Sequence, residues 1–226
     1  MNQLHQLIEL VDPAWPLVKK WADEAQNLVE ILPPPDQNAR ENCLLKTQVT
    51  TRSPMGAIIY ESGGILIDGG WIRILGSSHP RLPRSLADWN SACHAYIGVD
   101  PPPYWLIADD AVGGFFAIHD GGLGFPPGNV CYSAPDTLKW EDTQGGYSQF
   151  LNWCFSGDLM KYYSNLRWST WSEEVKSLRG DQAFHVYPPM FTDGPEIGMR
   201  DRRAVPIMEI FELYVAPLPE ATNGSI

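Results

Sequence analysis

The sequence predicts an α+β fold, with N-terminal helices, a central antiparallel β-meander sheet and C-terminal helices packed on it. Apolar residues recur at helical spacing near both ends of the chain, whereas short apolar runs between glycine turns fill its middle. The 20 glycines and 20 prolines among 226 residues interrupt the elements too often for a helix bundle. Because no repeat or linker divides the chain, we expect one domain over 1–226, with a flexible tail over 217–226.

The predicted N-terminal helices follow from apolar spacing and from capping residues. A first helix is predicted over 3–11, and Asp12-Pro13 interrupts it. A second helix is predicted from about 15 to 31, where the prolines of "LPPPD" end it. Asp36 is placed to cap a third helix over the segment "QNARENCLLK".

Short apolar runs separated by turns predict two groups of strands. The runs "AIIY", "ILID" and "WIRIL" form a first meander over 57–75. A polar loop follows, in which Ser85 is placed to cap a short helix through Trp89, and residues 91–103 end in an extended loop. The runs "YWLIA" at 104–108, "GFFAI" at 114–118 and "NVCYS" at 129–133 form a second meander.

Helical spacing returns in the C-terminal part of the chain. A helix is predicted from Tyr147 to Phe155, with Gly157 beyond its end. The segments "DLMKYYSNL" and "WSEEVKSL" predict two further helices, and "FHVY" at 184–187 predicts a late strand. The segment "IMEIFELYV" at 207–215 predicts a last helix after Pro206.

Net charge and cysteine content limit the classes of function that the protein can have. The formal net charge of −11 repels nucleic acid and attracts a cationic protein partner. The four cysteines show no CxxC motif and no zinc-like spacing with histidine, so we expect them to be reduced and mostly buried, as in the cytoplasm. The N-terminal segment lacks the pattern of a signal peptide, and no run reaches the length of a membrane span. We therefore predict a cytoplasmic protein that needs no metal or cofactor and binds neither nucleic acid nor membrane.

The stretch "IADDAVGGFFAIHDGG" over 107–122 holds two carboxylates and then a His–Asp pair. Asp109 and Asp110 are adjacent at the end of a strand, so their side chains point to opposite faces and do not form a facing acid–base pair. An Asp before Gly-Gly is typical of a turn, so we interpret both carboxylates as turn residues. His119 and Asp120 are expected to face water at the end of the next strand.

The segment "GSSHPRLPRS" gathers basic residues in an otherwise acidic chain. One interpretation is an anion-binding or partner-binding loop, with Arg81 and Arg84 as bidentate donors. The favoured interpretation is that both arginines pair with the abundant carboxylates and fix the loop. If a binding site exists here, we place it at His79, Arg81, Arg84, Asp109 and Asp110.

Aromatic residues of the C-terminal half also allow two interpretations. They either line a pocket or, as is more common, form the core and the contact between helices and sheet. The group consists of Trp140, Tyr147, Trp153, Tyr162, Tyr163, Trp168 and Trp171. No GxSxG motif is present and no histidine pattern fits a metal site, so no catalytic residue is predicted.

Long blocks of the sequence resemble a known family. The blocks include "DPAWPLVKKWADEAQN", "TTRSPMGAIIYESGGILID", "GWIRILGSSHPRLPRSLADWN" and "GNVCYSAPDTLKWEDTQGGYSQFLNWCFSGDL". They are similar to the bacterial domain-of-unknown-function 2625 family, a resemblance that implies no activity and no site residues. The hairpin with its D-x-x-G-G turn, followed by "GNVCY" and "YSQFLNW", more distantly resembles the SUKH superfamily of immunity-type proteins. That resemblance implies that the glycine-rich hairpin is a feature of the fold.

Two main functions remain open at this point. Composition and resemblance favour a non-enzymatic binding or immunity-type protein whose acidic surface binds a basic protein partner such as a toxin. The alternative is a small-molecule-binding protein or an enzyme with a polar site near His79, Arg81, Arg84 and Asp109. A structural role through exposed aromatic residues is a third hypothesis.

Overall fold

A seven-stranded antiparallel sheet forms the centre of the fold in the computed structural model, which describes residues 1–98 and 102–215. The strands lie side by side in chain order, and each is antiparallel to the next. They are β1 (Val29–Leu32), β2 (Gly64–Ile67), β3 (Ile72–Leu75), β4 (Trp105–Asp110), β5 (Phe115–Ile118), β6 (Val130–Ala134) and β7 (Lys139–Asp142). A second antiparallel pair consists of β8 (Gln182–Tyr187) and β9 (Asp201–Pro206). The predicted central meander is confirmed.

Helices flank the sheet, which confirms the α+β class. The N-terminal helices are α1 (Leu4–Leu7), α2 (Trp15–Asp23), α3 (Gln37–Thr47) and α4 (Pro54–Glu61), and α5 (Leu86–Ile97) connects β3 to β4. The later helices are α6 (Tyr147–Ser156), α7 (Leu159–Tyr162), α8 (Trp171–Glu174) and α9 (Ile207–Tyr214). None of the helices within 1–98 and 102–215 is both long and apolar enough to cross a membrane.

The helix predicted over 15–31 is wrong in its second half, because the chain leaves the helix at Asp23 and forms β1 from Val29. The backbone N–H groups of Gln26 and Asn27 both donate to the carbonyl of Phe155 at 2.9 Å, which anchors the connection to α6. The backbone of β1 then pairs with β2 at the edge of the sheet. These long-range partners replace the local hydrogen bonds that a longer helix would make.

The segment "AIIY", predicted as a strand, lies inside helix α4. Ser53 caps this helix by accepting a hydrogen bond from the N–H of Gly56 at 3.1 Å, and Pro54 occupies its first turn. Because α4 is buried around most of its circumference, its apolar run has no helical periodicity. A buried helix of this kind cannot be distinguished from a buried strand by its apolar pattern alone.

Several other boundaries differ from the predictions. Helix α1 ends at Leu7 and α5 continues to Ile97, so residues 92–97 are helical and not an extended loop. Strands β7 and β9 were not predicted, because both are edge segments rich in polar residues. The predicted tail over 217–226 lies outside the described residues.

The core fills the space between the sheet and the helices. Its largest fully buried side chains include Trp71, Phe115, Phe116, Phe155 and Tyr163. The four cysteines are free and buried, which confirms the prediction that they are reduced core residues: Cys43, Cys93, Cys131 and Cys154.

Candidate functional site

Asp109 lies at the centre of a buried ion cluster between two arginines. The register of β3 against β4 places Arg73 directly opposite Asp109. The Nε of Arg73 donates to Oδ1 of Asp109 at 2.6 Å, and Nη1 of Arg84 donates to Oδ2 at 2.7 Å. Asp109 is completely buried, so its contacts are fixed by the fold. The prediction that Asp109 is a turn residue is therefore wrong, and the favoured pairing of Arg84 with a carboxylate is observed.

The same arginines join the central sheet to the segment that leads into β8. Arg73 donates to the carbonyls of Asp110, at 3.0 Å, and of Gln182. Arg84 donates twice to the carbonyl of Gly180, at 3.0 and 2.7 Å. Burial lowers the pKa of Arg73, and the adjacent Asp109 carboxylate opposes that shift. The cluster is thus a fixed, hydrogen-bonded structural element.

Asp110 points to the other face of the strand, as predicted. Its Oδ1 accepts from the N–H of Val112 at 3.0 Å and of Gly114 at 2.8 Å, so this carboxylate does cap the turn. Its Oδ2 accepts from the hydroxyl of Tyr132 at 2.6 Å. Burial raises the pKa of Asp110, and these three donors oppose the shift.

The remaining predicted residues are separated from this cluster. Arg81 is half-exposed and forms a two-pronged pair with the carboxylate of Glu30, with Nη2 at 2.9 Å from Oε2. The Nδ1 of His79 accepts from the backbone N–H of Arg81 at 3.1 Å. His119 is buried and its Nδ1 accepts from the N–H of Gly121 at 3.0 Å, so the prediction that it faces water is wrong.

An open cavity of about 380 Å³ lies between the chain segment 141–145 and helices α6 and α7. We call it the aromatic cleft and define it by its five aromatic lining residues: Phe116, Tyr132, Phe150, Trp153 and Tyr162. The sequence predicts Trp153 and Tyr162 as pocket or core residues, and both line the cleft. The acidic side of the cleft was missed, because β7 was not predicted.

The aromatic rings give the cleft a rigid floor and an accessible wall. Phe116 and Tyr132 are buried and stack with ring centroids 4.6 Å apart. Trp153 and Tyr162 meet edge to face, with centroids 4.8 Å apart and an interplanar angle of 77°. Tyr162 is 44% exposed, so part of this aromatic corner is open to a ligand. The hydrogen bond from Tyr132 to Asp110 fixes the floor.

Two carboxylates line the cleft together with the aromatic residues. Glu141 and Asp142 both line it, and none of the described lining residues is Lys or Arg. Asp142 accepts from the side chain of Asn129 at 3.0 Å and from the N–H of Gln144 at 2.8 Å, which fixes its position. Glu141 is exposed. The cleft therefore combines aromatic faces with negative charge.

The chain segment that contains Glu141 and Asp142 is also negatively charged as a whole. Between residues 119 and 158 the only basic residue is Lys139, and the acidic residues are Asp120, Asp136, Glu141, Asp142 and Asp158. Within the described parts of the chain, no group of three or more His, Cys, Asp or Glu residues is arranged to hold a metal ion. The cleft therefore presents carboxylates beside aromatic rings, two kinds of group that attract cations.

Comparisons with known proteins give a family resemblance over almost the whole chain. The model of a family described as "Protein of unknown function DUF2625" matches residues 4–210. The uncharacterized protein YbfG of Escherichia coli is 44% identical over 213 residues, which cover 94% of this chain and 95% of that protein. An uncharacterized protein of Haemophilus influenzae is 40% identical over 203 residues, which cover 90% of this chain and 88% of that protein.

Proposed function

We propose that this chain, a member of the DUF2625 family of proteins of unknown function, is a non-enzymatic binding protein. Its acidic face binds a basic protein partner. The observation that carries the proposal is the aromatic cleft, where the partly open corner of Trp153 and Tyr162 lines the same cavity as Glu141 and Asp142. The occupant we assign to the cleft is a cationic side chain of the partner, above all arginine.

Aromatic rings and carboxylates attract a cation by two additive effects. A guanidinium over the face of Trp or Tyr gains about 0.5–2 kcal/mol, depending on how far it is desolvated. A carboxylate then accepts its N–H groups in a charge-assisted hydrogen bond. Arginine suits this site better than lysine, because its planar group stacks on one wall while its edge faces the other. An anionic group is repelled by the carboxylates, and a neutral group lacks both the cation–π attraction and the charge assistance of the hydrogen bond.

The charge of the whole protein supports the same partner class. The formal net charge of −11 attracts a cationic protein at long range, and Glu141 and Asp142 place negative charge at the cleft itself. Such steering raises the association rate at low salt and weakens as ionic strength increases. A basic toxin, which the SUKH resemblance implied, is one partner of this chemistry.

The hydrogen bonds of the buried carboxylates in the stretch 107–122 argue against acid–base catalysis there. Both oxygens of Asp109 face arginines, and both oxygens of Asp110 accept hydrogen bonds. An acid or base needs access to the substrate proton. Neither carboxylate offers this, so we place the functional surface at the aromatic cleft.

The test uses a labelled arginine-rich peptide and the same peptide with citrulline at every arginine. Citrulline keeps the shape of arginine and removes its charge. We expect the wild-type protein to bind the arginine peptide in fluorescence anisotropy, with an affinity that falls as salt rises, and to bind the citrulline peptide far more weakly. Equal binding of both peptides, or none of either, would contradict the proposal.

Two cleft variants and one matched control locate the binding surface. Tyr162→Ala removes an aromatic face and Glu141→Gln removes a carboxylate, and both residues are exposed, so the fold is kept. Each is expected to weaken arginine-peptide binding about fivefold or more. Glu209→Gln on α9 removes the same charge as Glu141→Gln at an exposed position outside the cleft, and should have little effect. The same variants, used as baits against extracts of the native cell, should retain less of the partner that the wild type retains.

A further inference from the structure

A second cavity, of about 510 Å³, lies where the turn between β2 and β3 faces the segment 175–180. We propose that it binds a small molecule through a multiply charged oxyanion, with phosphate as the preferred group. We call it the basic pocket and define it by its four cationic lining residues: Arg73, Arg81, Lys176 and Arg179. It is separate from the aromatic cleft and shares none of its lining residues.

The charge of this pocket is opposite to that of the protein. The chain has 16 basic and 27 acidic residues, yet four of the basic residues line this one cavity. Glu30 is the carboxylate among the described lining residues. Convergence of guanidinium and ammonium groups is the arrangement by which proteins hold phosphate and carboxylate groups.

Arg73 gives the pocket a fixed cation from the protein interior. Its side chain is only 2% exposed, and its guanidinium is held by Asp109 and by the carbonyls of Asp110 and Gln182. Arg84 shares the same Asp109 carboxylate from the other side. Two guanidiniums thus share one carboxylate, which leaves positive charge beside the pocket.

The outer cations are paired only by exposed salt bridges. Arg81 pairs with Glu30, Lys176 with Glu173 and Arg179 with Asp181, and the three cationic side chains are 53%, 61% and 71% exposed. Exposed pairs of this kind contribute little free energy, because water and salt screen them. A ligand oxyanion that is held by several of these cations at once can replace their carboxylate partners at small cost.

The turn at the side of the pocket leaves the backbone accessible. Gly69 and Gly70 line the cavity and have φ values of +71° and +104°. A Cβ at Gly70 would meet nothing within 4 Å, so the space beside the backbone is open. A ligand can therefore approach this turn closely, which any side chain there would obstruct.

The basic pocket includes only part of the polar site that the sequence predicts near His79, Arg81, Arg84 and Asp109. Arg81 lines the pocket, whereas Arg84 and Asp109 are buried, and of these two only Asp109 holds Arg73 in place. The ligand-facing partners of Arg81 are Lys176 and Arg179, which lie about 95 residues further along the chain. The small-molecule alternative therefore has a defined location that is distinct from the cleft for the basic partner.

The test is calorimetric titration with inorganic phosphate, pyrophosphate and citrate at constant ionic strength. Arg81→Ala and Arg179→Ala remove exposed cations, so neither should unfold the protein. We expect pyrophosphate to bind at millimolar or lower concentration, and each variant to weaken it about tenfold, as expected for loss of a charge-assisted contact. Stronger binding of citrate than of pyrophosphate would overturn the preference for phosphate.

A control variant separates a specific pocket from a general charge effect. Arg52→Ala makes the same charge change at a residue whose side chain is 69% exposed and 3.9 Å from Asp12, outside the pocket. It should leave pyrophosphate affinity unchanged, as should Glu141→Gln in the aromatic cleft. If no anion binds, or if Arg52→Ala weakens binding as much as Arg179→Ala, the proposal is wrong.

Discussion

The substitution Asp109→Asn tests whether the buried ion cluster stabilises the fold. The two carboxylate oxygens lie 2.6 Å from Nε of Arg73 and 2.7 Å from Nη1 of Arg84. Asparagine has the same shape, but one of its two terminal atoms is an NH₂ group. That group must face one of the guanidiniums, so two donors meet and both arginines lose their ionic partner.

The loss of unfolding free energy expected for Asp109→Asn is large compared with the total stability of a domain. Removal of one partner from a buried ion pair costs about 3–5 kcal/mol, because the remaining charge is buried without compensation. A typical domain has a free energy of unfolding of about 5–15 kcal/mol. With a urea m-value of roughly 3 kcal/mol/M for a chain of this size, the unfolding midpoint should fall by about 1–1.7 M.

Urea unfolding followed by tryptophan fluorescence measures this shift. Asp120→Asn is the matched control, since it removes the same charge at an exposed position and should stay within about 0.5 kcal/mol of wild type. Arg84→Met should cost less in the Asp109→Asn background than in the wild type, because the two side chains interact directly. The reasoning is refuted if Asp109→Asn also stays within about 0.5 kcal/mol of wild type.

Three further substitutions test local features of the fold. Gly114→Val should lower the free energy of unfolding by roughly 3 kcal/mol or more. The reason is that a Cβ at this position would lie 2.3 Å from Oδ2 of Asp110 and 2.3 Å from the Tyr132 hydroxyl. Thermal unfolding measures this loss of stability. Ser53→Ala removes the cap of α4 and should cost about 1 kcal/mol in urea unfolding; no loss would contradict the cap. Burial lowers the pKa of His94, so the unfolded state binds more protons and stability should fall as the pH drops from about 7 to 5. His94→Gln should flatten that dependence in unfolding curves, and an unchanged slope would assign the acid sensitivity to other groups.

The sequence predicts the sheet well because strand order follows chain order. Runs such as "ILID" and "GFFAI" are short, apolar and bounded by glycines, so local chemistry alone identifies them as strands. Prediction from the sequence fails where burial or long-range pairing determines the secondary structure. Helix α4 has no polar face to show its period, although the Ser53-Pro54 pair before it is a cap signal that would have identified it. β1 depends on partners in β2, more than thirty residues later in the chain.

In the candidate sites, too, local sequence does not predict the contacts of single residues. Asp109 and Asp110 have the same local sequence context, yet only Asp110 caps the turn. The role of Asp109 depends on Arg73 and Arg84, which the register of β3 and the loop before α5 bring to it. The aromatic cleft likewise depends on the pairing of β6 with β7, which places Glu141 opposite Tyr132. Spacing along the chain does not encode these contacts.

Asp109 and Asp110 are neighbours on β4, and each contacts a residue of a different proposed site. Asp109 holds Arg73, which lines the basic pocket, and Asp110 holds Tyr132, which forms the floor of the aromatic cleft. Because adjacent strand residues face opposite sides of the sheet, each carboxylate positions one site. Each is therefore a positioning residue whose loss should affect one ligand more than the other.

This division predicts a crossed pattern of binding defects. Asp110→Asn should weaken the hold on Tyr132 and lower the affinity for the arginine peptide, while pyrophosphate affinity stays within about twofold of wild type. Asp109→Asn, measured at a temperature where circular dichroism shows it folded, should change pyrophosphate affinity by more than about twofold, because Arg73 loses its ionic anchor, and should spare the arginine peptide. If both buried substitutions weaken both ligands equally, the carboxylates act through overall stability, and the assignment of one carboxylate to each site is wrong.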